Sequence, residues 1–307
     1  MSDRLAIRAA THDDLPGLSE FMIAQGQQRA SAEYLRHWYF ADPSAGSTII
    51  IGSIDGRIAG MATMKHHRFQ GPGGATLVGM PQKVLTDEAM RGKGIFQKLY
   101  HASEDQARIQ GVDLFLTVTN AASTPIFLGK FGYQRMPAPR MVALSPMPGG
   151  VEVLPMETGT IPGPDRSDHD RLTMRKDPSH YQWRYLAHPS AGYLALRIAI
   201  AGSEAGWIFL RRTKKLGMPV MLLLDLVPSA GDPALLLRAA RRIAWKQRCV
   251  SLLCLEEERL RNAVSRNGPV LRRSSGLNLL VKGRDDQHTQ SLVARPVQLA
   301  FGDLDFL

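Results

Sequence analysis

The residues best suited to chemistry in this chain lie in the run Arg91-Gly92-Lys93-Gly94-Ile95-Phe96. Glycines at 92 and 94 reach positive φ without a Cβ penalty and leave the backbone open to a ligand. Successive N–H groups in such a turn converge as an anion nest, and a helix starting at Ile95 would add its positive end. Arg91 and Lys93 contribute full charges. This suits the holding of a pyrophosphate. The spacing is neither G-x-x-x-x-G-K-[ST] nor G-x-G-x-x-G, so it is not a Walker loop or a dinucleotide fingerprint. A basic surface turn with two glycines is the plain alternative.

Such a loop needs a strand before it and a helix after it. Ala75–Val84 reads as a strand ending through Leu85, Thr86 and Asp87, and Ile95–Ile109 reads as a helix with Phe96, Leu99, Tyr100, Ser103 and Ala107 on one face. Upstream lie a short strand, Leu5–Ala10, and an amphipathic helix, Leu15–Gln25, with Asp13 or Thr11 placed to cap it. A second short helix covers Ser31–Phe40. Thr48–Ile54 and Arg57–Met64 flank Asp55-Gly56, a strong hairpin signal. Downstream come a strand at Asp113–Val118, a helix at Ser123–Phe131 and an ending strand pair within Tyr133–Leu144.

Two motifs follow one another along these elements. Arg91-x-x-Gly94-x-Phe96 is similar to the [QR]-x-x-G-x-[GA] acetyl-CoA signature, with Phe96 departing from the usual small residue. Asn120-x-x-Ser123 followed by Lys130-x-Gly132-Tyr133 is similar to N-x-x-[AS]…K-x-G-[FY]. Together they make residues 4–145 resemble the GNAT (GCN5-related) N-acetyltransferase superfamily. The resemblance implies acetyl-CoA as co-substrate, a small-molecule or sugar amine as acceptor, and no metal.

Residue by residue, the resemblance implies pyrophosphate contacts from the N–H groups of Arg91, Gly92, Lys93, Gly94, Ile95 and Phe96. Val84, Leu85 and Thr86 would bind the pantetheine arm through the backbone, with Asn120 and Ser123 beside it. Many family members carry a Tyr seven residues after this Asn, as proton donor to the departing thiolate. Here that position is Phe127, which has no proton to give. Tyr133 reads as core. Direct attack on a thioester also needs a base for the ammonium proton, and the candidates are Glu88, Asp87 and the pair His66-His67.

The second half repeats the order of elements. Tyr193–Ala201 and Trp207–Arg212 echo the first hairpin, Val220–Leu226 is an apolar strand, and Ala234–Lys246 a helix. Ser251–Leu255, Arg259–Ser265 and Leu277–Val281 complete the series. The corresponding strand-to-helix junction holds Pro228, Asp232 and Pro233 in place of Arg and G-x-G, so this half is expected not to bind the coenzyme. The aromatic run with Trp183, Tyr185, His188 and Tyr193 is either an acceptor-facing wall or a packed corner.

The expected fold class is therefore α/β (α+β): two GNAT-like acyl-CoA N-acyltransferase domains, each a mixed, mostly antiparallel sheet flanked by helices. The expected boundaries are a coenzyme-binding domain at 1–148, a Pro/Gly-rich linker at 149–165, a degenerate domain at 166–285 and a tail at 286–307. A catalytically silent acyl-CoA-binding protein of the same fold is the rival reading, motivated by Phe127.

Composition is in keeping: 307 residues, 44% hydrophobic and 21% charged, suit folded domains and exclude wholesale disorder. Lys and Arg number 38 against 28 Asp and Glu, and most of the excess lies after residue 150. A nucleic-acid partner is a third reading, opposed by the interspersed acids and the lack of any recognised motif. Cys249 and Cys254 read as buried thiols, too few for a disulfide framework or a four-thiolate zinc site. Nothing reaches the roughly 18 apolar residues of a membrane span, and no signal-peptide core is present, so the expectation is a cytoplasmic protein with no membrane partner. The oligomeric state is left open, a homodimer included.

Overall fold

The computed structural model describes residues 4–155, 171–189, 192–229 and 232–304. Most of the expected linker at 149–165 lies outside the described residues, but Glu152–Leu154 within it forms a strand.

In chain order the first part contains β1 (Ala6–Ala9), α1 (Leu15–Ala24), α2 (Ala32–Leu35), β2 (Ser47–Ile54), β3 (Arg57–Gly71) and β4 (Gly74–Thr86). There follow α3 (Ile95–Ile109), β5 (Leu114–Thr119), α4 (Thr124–Lys130) and β6 (Gln134–Arg135). Next come β7 (Arg140–Leu144), β8 (Glu152–Leu154), β9 (Leu172–Met174) and α5 (Pro178–Tyr181). Then follow β10 (Tyr193–Ile200), β11 (Ser203–Lys215), β12 (Met218–Pro228), α6 (Pro233–Lys246) and β13 (Ser251–Leu255). The chain ends with α7 (Glu258–Arg266), β14 (Val270–Ser274), β15 (Asn278–Lys282), α8 (Asp286–Val293) and β16 (Val297–Gln298).

Local chemistry sets the hairpins. Asp55 and Gly56 take φ of 49° and 77°, as the two central residues of a type I′ turn require, and Ala201-Gly202 do the same at 52° and 76°. Both hairpins are antiparallel, as the duplication in sequence leads one to expect. Helix α2 begins on Ser31, whose hydroxyl accepts the Tyr34 N–H, and widens into a π-turn at Arg36–Phe40. Helix α5 begins on Asp177 in the same way and widens at Gln182–Leu186.

The chain forms two compact units, and neither is contiguous. The first contains residues 1–136 and 279–294 and the second 137–187, 191–278 and 295–307, with 188–190 grouped with the first. In the first unit seven strands run in the order β1-β2-β3-β4-β5-β15-β6; in the second the order is β14-β7-β13-β12-β11-β10-β8. Each sheet is mixed and mostly antiparallel, with parallel pairing at β4–β5 and β9–β16 in one and at β12–β13 in the other.

The two halves have thus traded a strand: β15 sits between β5 and β6, and β7 between β13 and β14. This corrects the expected pair within Tyr133–Leu144, because β6 and β7 belong to different sheets. It also moves the expected boundaries at 148 and 285, since Leu279–Ala294 completes the first unit. The expected tail contains helix α8 and strand β16. Leu280 of β15 is fully buried among Tyr100, Phe115, Phe127 and Phe131, and Val142 and Leu144 of β7 are buried among Leu236, Ala240 and Leu252. Apolar side chains that each half lacks come from the other half of the sequence.

Candidate active site

Strands β4 and β5 pair in parallel at Val78–Leu114 and Gly79–Phe115. Beyond that point they part. Pro81 has no N–H for a ladder, and the register with β3 slips between Ala62–Val84 and Met64–Pro81, which places an extra residue in β4. Thr63 of β3 fills the break, its hydroxyl accepting the Lys83 N–H at 2.9 Å and donating to the Lys83 carbonyl at 3.2 Å. The remainder of β4, Val84 to Thr86, keeps its pairing to β3 and turns its other edge to a cleft.

The helix that closes the cleft is set down tightly. A Cβ at Gly60 would lie 2.8 Å from the Leu85 carbonyl oxygen and from Leu99 of α3, so the glycine permits that approach. Asp87 caps the short turn Glu88–Met90 by accepting the Ala89 N–H at 2.9 Å. Gly92 (φ 81°) and Gly94 (φ 73°) then turn the chain into α3, and no side chain caps that helix. Gly94, Ile95, Phe96 and Gln97, at the helix start where N–H groups have no partner within the helix, line a cavity of about 440 Å³.

The cavity brings together Val84, Leu85 and Thr86 from β4 with Arg91, Gly92, Gly94, Ile95 and Phe96 from the loop and helix. Lys93 is not in the lining; its Nζ lies 3.5 Å from the Met90 sulfur. Asn120 and Ser123 are also absent, and they build the start of α4, Asn120 Oδ1 accepting the Ser123 N–H at 2.9 Å. Phe127 points away, its ring 5.1–5.4 Å from those of Tyr100, Phe131 and Tyr133. Tyr133 is buried as expected.

The candidate bases are not assembled there. Glu88 is exposed and pairs with Arg91 at 3.4 Å, and Asp87 is engaged as a cap. His66 is buried six residues along β3 from Gly60, opposite Gly79, with Nε2 3.0 Å from the Thr48 hydroxyl. Burial, reinforced by the Lys65 charge, pulls its pKa down to about 4. His67 is buried as well. Sequence reasoning missed Gln25, Met90, Gln97, Ile126 and Lys130, all of which line the cavity. Lys130 stood in the quoted motif, whereas nothing local marks Gln25 at the end of α1.

On β3, Lys65 is fully buried against Asp42 and donates to the Trp38 carbonyl at 2.5 Å. Burial pushes the Asp42 carboxyl up, but the Lys65 and His67 charges and hydrogen bonds from Lys65 and the Ser44 N–H together hold it below the ordinary range. Trp38 Nε1 donates to Gln82 at 2.8 Å, tying α2's turn to the bulged part of β4. His188 packs beside Tyr34, His37 and Trp38. Trp183 and Tyr185 are buried, and Tyr185 lies 4.4 Å from Phe209 and donates to Asp225, so these two form a packed corner of the second unit.

At the second unit's matching junction Asp232 caps α6, accepting the Ala234 N–H at 2.9 Å, and pairs with Arg266 at 2.6 Å. Among the described residues no group of three or more His, Cys, Asp or Glu could hold a metal.

In the first unit a strand pair thus parts beside an uncapped Gly-x-Gly helix start, within a mixed sheet. Residues 6–136 match the acetyltransferase (GNAT) domain family. The whole chain is similar to a GCN5-related N-acetyltransferase from Anabaena variabilis ATCC 29413, with TM-score 0.64 and 11% identity over 92% of this chain and 73% of that one. It is similar to a conserved protein of unknown function from Enterococcus faecalis V583, with TM-score 0.64 and 10% identity over 93% and 74%. A GCN5-related N-acetyltransferase from Kribbella flavida aligns with TM-score 0.58 and 10% identity over 94% and 72%. At such identities the likeness is one of fold. No curated protein matches the chain significantly.

Proposed function

We propose that the chain is an acetyl-CoA-dependent N-acetyltransferase acting on a primary amine of a small molecule or sugar. The observation that carries this reading is the single cavity joining the free edge of Val84–Thr86 to the uncapped start of α3 at Gly94. Its residues fit the coenzyme: positive-φ glycines leave room for phosphate oxygens, Arg91 and Lys130 bring charge, and Val84, Ile95 and Ile126 are apolar. The coenzyme supplies an activated acyl group as a thioester. The chain's part is to fix the phosphates on N–H groups, align the arm along β4 and admit an amine at the parted strands. Asp232 on α6 supports a second unit that does not hold coenzyme, since its carboxylate occupies the anion position.

Thiol release from acetyl-CoA over a panel of amines tests the reading, with turnover on at least one amine expected. A second reading, a silent acyl-CoA-binding protein, is favoured by Phe127, which sits in an aromatic core and offers no proton. Coenzyme binding without turnover on any amine would support it.

A further inference from the structure

The second unit carries most of the basic excess, and the coenzyme cavity does not use it. Two segments concentrate it: residues 205–224 hold four Lys or Arg, residues 233–255 hold five, and neither holds an Asp or Glu. The structure places the ends of these segments side by side. Val250 donates its N–H to the Pro219 carbonyl at 2.8 Å, and Arg212 Nε donates to the Gln247 carbonyl at 3.2 Å. The tip of the β11–β12 hairpin therefore abuts the turn between α6 and β13.

That end is also apolar at its most exposed points. Leu216 is 96% exposed, Trp245 55%, Val250 52% and Met218 49%. Leu216 occupies the first central position of the hairpin turn at φ 50°, where Asn or Asp is ordinarily preferred and a bulky side chain is strained. Lys214, Lys215, Lys246 and Arg248 surround these residues and are exposed.

We infer that this end of the second unit docks on an anionic phospholipid surface, with Leu216, Met218, Trp245 and Val250 entering the headgroup region and the basic residues contacting lipid phosphates. A projecting tip suits a soft interface that closes around it, whereas a folded partner would need a matching socket. Charge adds to this, since each Lys or Arg near an anionic bilayer contributes attraction that the buried apolar area alone would lack. Trp at such a level places its ring among the headgroups. The contact is peripheral: among the described residues no helix is long and apolar enough to cross a membrane. The inference is independent of the coenzyme site.

Flotation of the full chain with vesicles tests it, comparing phosphatidylcholine alone with an equal mixture of phosphatidylcholine and phosphatidylglycerol. Binding to the mixed vesicles and not to the neutral ones is expected, weakening with added salt. The paired substitutions Lys214→Glu with Lys215→Glu, or Leu216→Ser with Met218→Ser, should each lower partitioning roughly tenfold. Their solvent exposure leaves folding intact, which an unchanged circular dichroism spectrum and coenzyme affinity would verify. Trp38, Trp183 and Trp207 are buried, so a vesicle-induced blue shift should vanish in Trp245→Phe. No binding to the mixed vesicles, or binding that these substitutions leave untouched, would overturn the inference. So would capture of a mixed-sequence oligonucleotide in preference to the vesicles.

Discussion

Lys282 and Glu104 are 178 residues apart, yet the Lys282 ammonium donates to both Glu104 carboxylate oxygens at 2.9 and 2.8 Å. Glu104 lies on α3, the helix whose start closes the candidate site, and Lys282 on the exchanged strand β15. The pair fastens a strand from the far end of the sequence to α3. Glu104 is only 7% exposed in its side chain, so Lys282→Met would leave a buried carboxylate without its cation. We expect a loss of about 2–4 kcal/mol. Urea denaturation reads this, and the double variant with Glu104→Gln should recover much of the loss.

The exchange also predicts that a chain cut after residue 148 will not fold properly. It would lack β15, so β5 and β6 would have no strand between them and Leu280 would be missing from the aromatic core. Dye binding to exposed apolar surface and loss of dispersed amide resonances are expected for the fragment. A well-dispersed, dye-negative fragment would contradict the exchange.

His66 makes stability sensitive to acid. An unfolded chain takes up a proton there near the ordinary value of 6.5, whereas burial and Lys65 delay uptake in the folded protein to about 4. The contribution is complete above pH 6.5 and is lost as pH falls through that window. Between pH 7 and pH 5 it amounts to about 2 kcal/mol. His66→Gln should flatten this part of the stability profile in urea melts at the two pH values, and an unchanged slope would refute the assignment. The same substitution should leave the pH dependence of turnover in place, because His66 lies outside the cavity.

How far the sequence revealed this arrangement depends on the range of each signal. The Asp55-Gly56 hairpin, the strand leading to Thr86 and the glycine loop are written in neighbouring residues, and all form as expected. Asn120 shows the limit of a motif: its side chain is satisfied by the Ser123 N–H, a local capping role that the same letters encode equally well. Phe127 and Phe131 lie four apart on and just beyond α4, a spacing that marks one inward face. The strand exchange was hidden because Arg140–Leu144 and Asn278–Lys282 are short, partly apolar runs that read like any closing strand. Only long-range packing decides which sheet each one completes.

Tyr133 is excluded as a substitute acid by its surroundings. Its hydroxyl is 2.6 Å from that of Tyr100, and burial holds both phenols well above their ordinary range. Tyr133→Phe should cost about 1 kcal/mol of stability and change kcat less than threefold. A fall of a hundredfold in kcat with an altered alkaline limb would instead make it the proton donor.

The central claim is that one coenzyme site per chain lies at the start of α3. Calorimetric titration with coenzyme A tests it most directly, using wild type and Gly94→Ala. A Cβ at Gly94 meets no protein atom within 4 Å, but φ 73° strains it by about 1 kcal/mol and the methyl intrudes where a phosphate would rest. The account predicts one site per chain in wild type and at least tenfold weaker binding in the variant, with the fold retained. Two equal sites per chain, no binding at all, or an affinity indifferent to Gly94→Ala would contradict it.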